Sequence, residues 1–86
     1  MPTICRFFGI IVSMNWQDHN PPPLHAFYGG DEAIVDIQTL QLISGKMSPV
    51  ALKLVQKWAR LHRGGLLVNW ERASRREKPI PLPPLG

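Results

Sequence analysis

Three ionisable side chains around a run of prolines form the densest candidate for chemistry in this sequence. Asp18 and His19 precede Pro21–Pro23, and His25 follows it. Imidazole and carboxylate groups held by a rigid loop could supply a general base or bind a divalent metal. Their spacing matches no established metal signature, so we expect no metal and no cofactor. We interpret the loop as a structural or contact edge in which Asp18 caps a turn, with catalysis by the histidines as the alternative.

Positive charge concentrated in the second half of the chain is the second candidate. Residues 1–45 carry one arginine against four acidic residues, a net charge of −3, whereas residues 46–86 carry nine basic against two acidic residues, a net charge of +7. Such a stripe neutralises phosphates or acidic proteins, although a solvated helix face is its usual explanation. The asymmetry predicts an anionic partner or attraction between the two halves. The candidate contact residues are Lys53, Lys57, Arg60, Arg63, Arg72, Arg75 and Arg76.

Size and composition exclude several classes of protein. A chain of 86 residues forms one domain with a small core, so association with a partner or a second copy is expected. No apolar run approaches the ~20 residues of a membrane span, and the run at residues 7–14 lacks the features of a secretory signal. Cys5 is the single cysteine and is interpreted as a small buried residue in a reducing compartment. We therefore expect a cytoplasmic protein without membrane contact.

Strands in the first half must position the proline loop. The predicted strands are residues 3–16, 24–28, 32–38 and 40–43. Gly9 marks a bulge or a tight turn, so the first run is one bent strand or two strands. Alternation from residue 10 puts Ile10, Val12, Met14 and Trp16 on one face, and Gly29-Gly30 is typical of a two-residue hairpin.

Helices in the second half must position the basic side chains. Ser48-Pro49 is a favourable helix start, with a hydroxyl cap and proline at the first helical position. Apolar residues then keep helical spacing at Ala51, Leu54, Val55, Trp58 and either Leu61 or His62, and again at Leu66, Leu67, Trp70 and Ala73. Gly64-Gly65 is expected to stop or kink the helix between these two stripes.

These elements predict an α+β fold: a three- to four-stranded antiparallel meander followed by one or two packed helices. The domain spans residues 1–77, and the proline-rich residues 78–86 are expected to form an extended tail. No phosphate-cradling glycine loop, nucleophile elbow or pair of catalytic carboxylates is present, which argues against a self-contained enzyme.

Five segments together resemble a known family. They are PTICRFFGIIVSM, DHNPPPLHAFYG, DEAIVDIQTLQLISGKMS, ALKLVQKWARLH and LLVNWERA. Over nearly the whole chain they are similar to small bacterial proteins catalogued as domain of unknown function 4160. Members usually carry a PPHxH pattern, and Pro23 stands where the first of those two histidines is found, which weakens any site made of paired histidines. Members are often encoded beside another small domain, so the resemblance implies a protein or nucleic-acid partner.

The function that follows from these observations is a non-enzymatic binding module, one component of a toxin–antitoxin-like or regulatory pair. Its basic helical half would contact a neighbouring-encoded small protein or nucleic acid. The alternative is a small ribonuclease-like toxin that uses His19 or His25 with nearby arginines. A structural protein that works only as a homo-oligomer is the third expectation.

Overall fold

The computed structural model describes residues 3–14 and 21–85 as an antiparallel sheet followed by two helices. Within these residues the strands are β1 (Thr3–Phe7), β2 (Ile10–Ser13), β3 (Pro23–Tyr28), β4 (Asp31–Asp36) and β5 (Leu42–Gly45). The helices are α1 (Pro49–Leu61) and α2 (Arg63–Ser74). Each strand pairs with its neighbour in the chain, in the order β1-β2-β3-β4-β5. The predicted α+β meander is confirmed, with five strands in place of the expected three to four.

The additional strand arises from a tight turn inside the first predicted strand. Phe8 and Gly9 both adopt a positive φ, of 49° and 78° respectively. These are the angles of a type I′ hairpin, and Phe7 pairs with Ile10 across the turn. The run therefore forms two strands rather than one bent strand.

One side chain sets the bounds of β4 and β5. The Asp36 carboxylate accepts backbone N–H hydrogen bonds from Gln38 at 2.7 Å and Thr39 at 3.2 Å. Leu40 adopts a left-handed φ of 66° and donates its N–H to the Asp36 carbonyl at 2.7 Å. This Asx turn ends β4 two residues before the predicted position 38 and delays β5 to Leu42–Gly45, so the predicted fourth strand at residues 40–43 was misplaced.

The hydrophobic core lies between one face of the sheet and the two helices. Its fully buried side chains include Ile10, Val12, Met14, Leu24, Val35, Val55, Trp58 and Leu66. The ring centroids of Phe7 and Trp58 lie 5.5 Å apart, so an aromatic contact joins β1 to α1. The predicted apolar face is confirmed for Ile10, Val12 and Met14, which are all buried, whereas Trp16 lies outside the described residues.

The two helices meet at His62. The His62 N–H donates to the Trp58 carbonyl at 3.1 Å, and the His62 carbonyl accepts the Leu66 N–H at 2.9 Å, so the joint keeps its backbone hydrogen bonds. The predicted division into two helices is confirmed, but the break lies at His62, and Gly64-Gly65 lies in the first turn of α2 rather than at the break. The helix start after Ser48 is confirmed, although the Ser48 hydroxyl makes no capping bond.

A Schellman motif ends α2 and reverses the chain. The Arg76 N–H donates to the Ala73 carbonyl at 3.0 Å, and the Glu77 N–H donates to the Arg72 carbonyl at 2.8 Å. This pair of bonds defines the motif, with Arg76 at the position that glycine usually takes. The following residues 78–85, named the tail below, have no regular secondary structure and run back along the helices.

Candidate functional site

The proline loop lies only partly within the residues that the structure describes. Asp18 and His19 are outside them, so their roles stay predictions. His25 lies in β3 and is 5% exposed. Its Nδ1 lies 3.1 Å from Oε2 of Glu32 in β4, whose side chain is 45% exposed. A carboxylate at this distance fixes the orientation of the imidazole, which serves a structural role as well as a chemical one.

His25 lies on the face of the sheet that is opposite to the helices. Its neighbours Leu24 and Ala26 are fully buried in the core, and successive side chains of a strand point to opposite faces. Ser13 pairs with His25 across β2 and β3, and its buried hydroxyl has no hydrogen-bond partner among the described residues. The sheet and the core therefore lie between His25 and the outer surface of α1.

Other chemical groups are sparse in the described part of the chain. Residues 3–14 and 21–85 bring together no group of three or more His, Cys, Asp or Glu side chains. Cys5 is buried in β1, as predicted, and burial raises the pKa of its thiol, which suppresses the reactive thiolate. No helix in these residues is long and apolar enough to cross a membrane.

The seven predicted cationic contact residues separate into two groups. Lys53, Lys57 and Arg60 are exposed on α1 and form no salt bridge with any residue that the structure describes. The helix sequence PVALKLVQKWARL contains no acidic residue that could compensate them. These three charges are therefore available to a partner.

The four remaining cations are nearer to the end of the chain, and three of them have intramolecular partners. The half-buried Arg63 donates from Nε to the Ile37 carbonyl at 3.2 Å. Arg72 and Arg75 both form salt bridges with Glu77, at 3.8 Å and 3.2 Å. The fourth, Arg76, is exposed in the turn after α2. The predicted basic surface is thus divided, and its uncompensated part is centred on α1.

Two large apolar side chains share the outer face of α1 with these cations. Val50 is 71% exposed and Leu61 is 64% exposed. Of the two residues predicted for the last inward position, the half-buried His62 rather than Leu61 therefore faces inward. At 3.6 residues per turn, positions 50, 53, 57, 60 and 61 lie within about 100° of arc. The inward positions of the same helix hold Ala51, Val55, Trp58 and Ala59. The outer face of α1 therefore combines three cations with an apolar residue near each end.

Asn69 is a further site residue, which the sequence analysis did not identify. It is fully buried in α2. The predicted buried residues of this helix were Leu66, Leu67, Trp70 and Ala73, without Asn69. Leu66, Asn69 and Ala73 are the buried residues of α2, and Leu67 and Trp70 are only partly buried. The signal that was available is the spacing, since an amide three residues after Leu66 occupies a core position.

Comparison with known proteins identifies the family. Residues 9–71 match the family model described as a domain of unknown function, DUF4160. The chain belongs to the DUF4160 family. No curated protein and no solved structure matches it. The part of the chain that matches DUF4160 includes His25, the outer face of α1 and Asn69, and it ends before Arg72 and the tail.

Proposed function

We propose that this DUF4160 protein is a non-enzymatic binding module that docks on an acidic partner protein through the outer face of α1. The observation that carries the proposal is the composition of that face. Lys53, Lys57 and Arg60 are exposed without an acidic neighbour on the helix, and Val50 and Leu61 are exposed at its ends. Cations would steer an acidic partner, and apolar residues would gain from being removed from water.

The two apolar residues favour a protein over nucleic acid. Phosphate contacts need cations and hydrogen-bond donors, and they gain little from an exposed valine or leucine. Protein interfaces bury apolar side chains together with charged ones, and both kinds are present on this face. Nucleic-acid binding through the same basic residues is the competing version of the proposal, and the experiment below separates the two.

The setting that we propose is a bacterial, cytoplasmic pair of the toxin–antitoxin or regulatory type, with a neighbouring-encoded small protein as the partner. Membership of a family whose members are often encoded beside another small domain supports it. The free, buried thiol of Cys5 is compatible with a reducing compartment.

The experiment measures binding of the purified, neighbouring-encoded protein to three full-length variants by calorimetry. The first replaces Lys53, Lys57 and Arg60 with glutamine. The second is the pair Val50→Ser and Leu61→Ser. The control removes the same amount of charge from other exposed positions by replacing Lys46, Arg75 and Arg76 with glutamine.

We expect the two α1 variants each to weaken binding at least tenfold, about 1.4 kcal/mol, and the control to change it less than twofold. Equal effects of all three variants would show that α1 is not the docking surface. The chain could instead bind a 20-base-pair DNA or an RNA strand, with an affinity that the serine pair leaves unchanged. For duplex DNA, the logarithm of the binding constant would then fall against the logarithm of the salt concentration with a slope of about −2.7, as three phosphate contacts require. That result would identify nucleic acid rather than a protein as the partner. Failure to bind any of these probes would overturn the proposal.

The ribonuclease-like alternative is tested separately through the histidines. The His25–Glu32 contact is an arrangement that can orient a general base, which is the observation in its favour. Loss of nuclease activity or growth inhibition in both His19→Ala and His25→Ala, with the fold retained, would support it. Variants that remain fully active would remove it.

A further inference from the structure

The tail lies in a groove of the helical layer that holds it through its backbone. The Ile80 N–H donates to Oδ1 of Asn69 at 2.7 Å, and Nδ2 of Asn69 donates to the Ile80 carbonyl at 2.9 Å. A single side chain thus pairs with both polar groups of one residue, as a neighbouring strand would. Because Asn69 is fully buried, its amide would lose its hydrogen bonds if the groove were left dry and unoccupied.

Two further donors extend the groove on either side of this pair. The indole Nε1 of Trp58 donates to the Pro83 carbonyl at 2.8 Å. On the other side, Nε of Arg72 donates to the Lys78 carbonyl at 2.7 Å. The three contacts follow the tail in sequence order, so the groove recognises an extended segment about six residues long.

A glycine in α2 makes room for the tail. A Cβ atom built on Gly65 would lie 2.8 Å from a terminal methyl carbon of Leu82, which is closer than real contacts allow. Gly65 has an ordinary negative φ, so it is the approach of Leu82 rather than the backbone conformation that favours glycine here. The groove is thus shaped for an apolar side chain at this position of its ligand.

The tail sequence is suited to a groove that needs almost no backbone donors from its ligand. Prolines occupy positions 79, 81, 83 and 84, and none of them has an N–H group. Within the described residues, Ile80 is the one tail residue whose N–H donates to the groove. Proline also keeps an unbound chain extended, which reduces the entropy lost on binding. The ligand class is therefore an extended peptide with alternating prolines, a non-proline residue at the position of Ile80 and a leucine at that of Leu82.

The turn that connects the tail to its groove is strained. Arg76 has a φ of 58°, in the left-handed region that an arginine disfavours. Opening the Schellman turn would return Arg76 to a negative φ. Short hinges under strain favour exchange of a terminal segment between copies of a chain.

We propose that the groove formed by Trp58, Gly65, Asn69 and Arg72 is a peptide-binding site that accepts the tail of a second copy of this chain. The contacts would be the same as those made within one chain. Tethering gives the chain's own tail an effective concentration on the order of millimolar, which favours binding within one chain. Strain at Arg76, present in each of the two copies, favours exchange of the tails. This site differs from the outer face of α1, so the two proposals fail independently.

Two full-length variants inactivate the groove and the tail independently of each other. Gly65→Leu fills the position of Leu82 from α2 itself, which blocks the groove and leaves the tail sequence intact. Ile80→Pro removes the N–H that Asn69 accepts, which disables the tail and leaves the groove intact. Unlabelled Gly65→Leu protein is added to 15N-labelled Ile80→Pro protein, and the indole N–H signal of Trp58 is followed by NMR. Unlabelled Ile80→Pro protein is the matched control.

We expect a saturable shift of the Trp58 signal and a 1:1 heterodimer by light scattering, with no shift in the control. Absence of a shift up to about 1 mM, the scale of the effective concentration, would overturn the proposal. An equal shift with the control would also overturn it, because the contact would not use the tail. If near-ultraviolet circular dichroism shows that either variant is unfolded, the milder pair Gly65→Ala and Leu82→Ala is tested with the same outcomes.

Discussion

Replacing Asn69 with alanine tests the structural role of the groove quantitatively. The substitution removes both hydrogen bonds to Ile80. The two bonds are partly buried and Ile80 as a whole is 47% exposed, so we expect water to replace the bonds that its N–H and carbonyl lose. Each bond then contributes about 1 kcal/mol net, so the free energy of unfolding should fall by about 2 kcal/mol. For a domain of this size that corresponds to a decrease in Tm of roughly 8–16 °C.

Urea unfolding followed by tryptophan fluorescence measures this change. Gln56→Ala is a matched control because it removes one side-chain-to-backbone bond, from Nε2 to the Leu40 carbonyl at 2.9 Å. It should cost about 1 kcal/mol, half the effect of Asn69→Ala. An Asn69→Ala effect below 0.5 kcal/mol, or one no larger than the control, would refute the view that the tail is anchored through this amide.

Four further substitutions test the fold by the same unfolding assay. Gly45→Ala should lower the free energy of unfolding by about 2–4 kcal/mol, because Gly45 has a φ of 81° and a Cβ would collide with the Glu32 carbonyl. Gly30→Ala is its control, since a Cβ at Gly30 meets open space, and it should be neutral or slightly stabilising. Arg76→Gly should raise stability by about 0.5–1 kcal/mol, because glycine removes the left-handed strain at the end of α2. Ser13→Ala should be neutral or stabilising by up to about 1 kcal/mol, because the buried Ser13 hydroxyl has no hydrogen-bond partner among the described residues. A loss of more than 1 kcal/mol in Gly30→Ala, Arg76→Gly or Ser13→Ala would contradict the stated reason in that case.

The sequence was sufficient to predict the elements whose cause is local. Gly29 has a φ of 61°, and Tyr28 pairs with Asp31 across the turn, as the two-residue hairpin prediction required. The Asx turn at Asp36 was missed because its bonds depend on how one carboxylate is oriented, and aspartate at a strand end is also compatible with a continuing strand. Periodicity therefore predicted the strands, whereas the Asp36 side chain determines where β4 ends and β5 begins.

The groove could not be predicted because it is made by long-range contacts. Asn69 and Ile80 are eleven residues apart, and Trp58 and Pro83 are twenty-five apart. Gly65 was interpreted as a helix breaker because glycine usually has that effect. In the structure, the close approach of Leu82 explains why this position has no side chain. The basic residues of α1 were predicted correctly as exposed, but the sequence could not show that Arg63, Arg72 and Arg75 have intramolecular partners.

The charges on α1 allow one test in which stability and binding should change in opposite directions. Lys57 lies one turn from both Lys53 and Arg60, and like charges at these spacings destabilise a helix by roughly 0.2–0.5 kcal/mol per pair. Lys57→Glu removes both repulsions and replaces them with attractions of similar size, so it should raise the free energy of unfolding by about 0.8–2 kcal/mol at low salt. If the outer face of α1 binds an acidic partner, the same variant should weaken that binding at least tenfold. A variant that is more stable and binds the partner as well as the original would show that the outer face of α1 is not the docking surface, because reversing its central charge would not have affected binding.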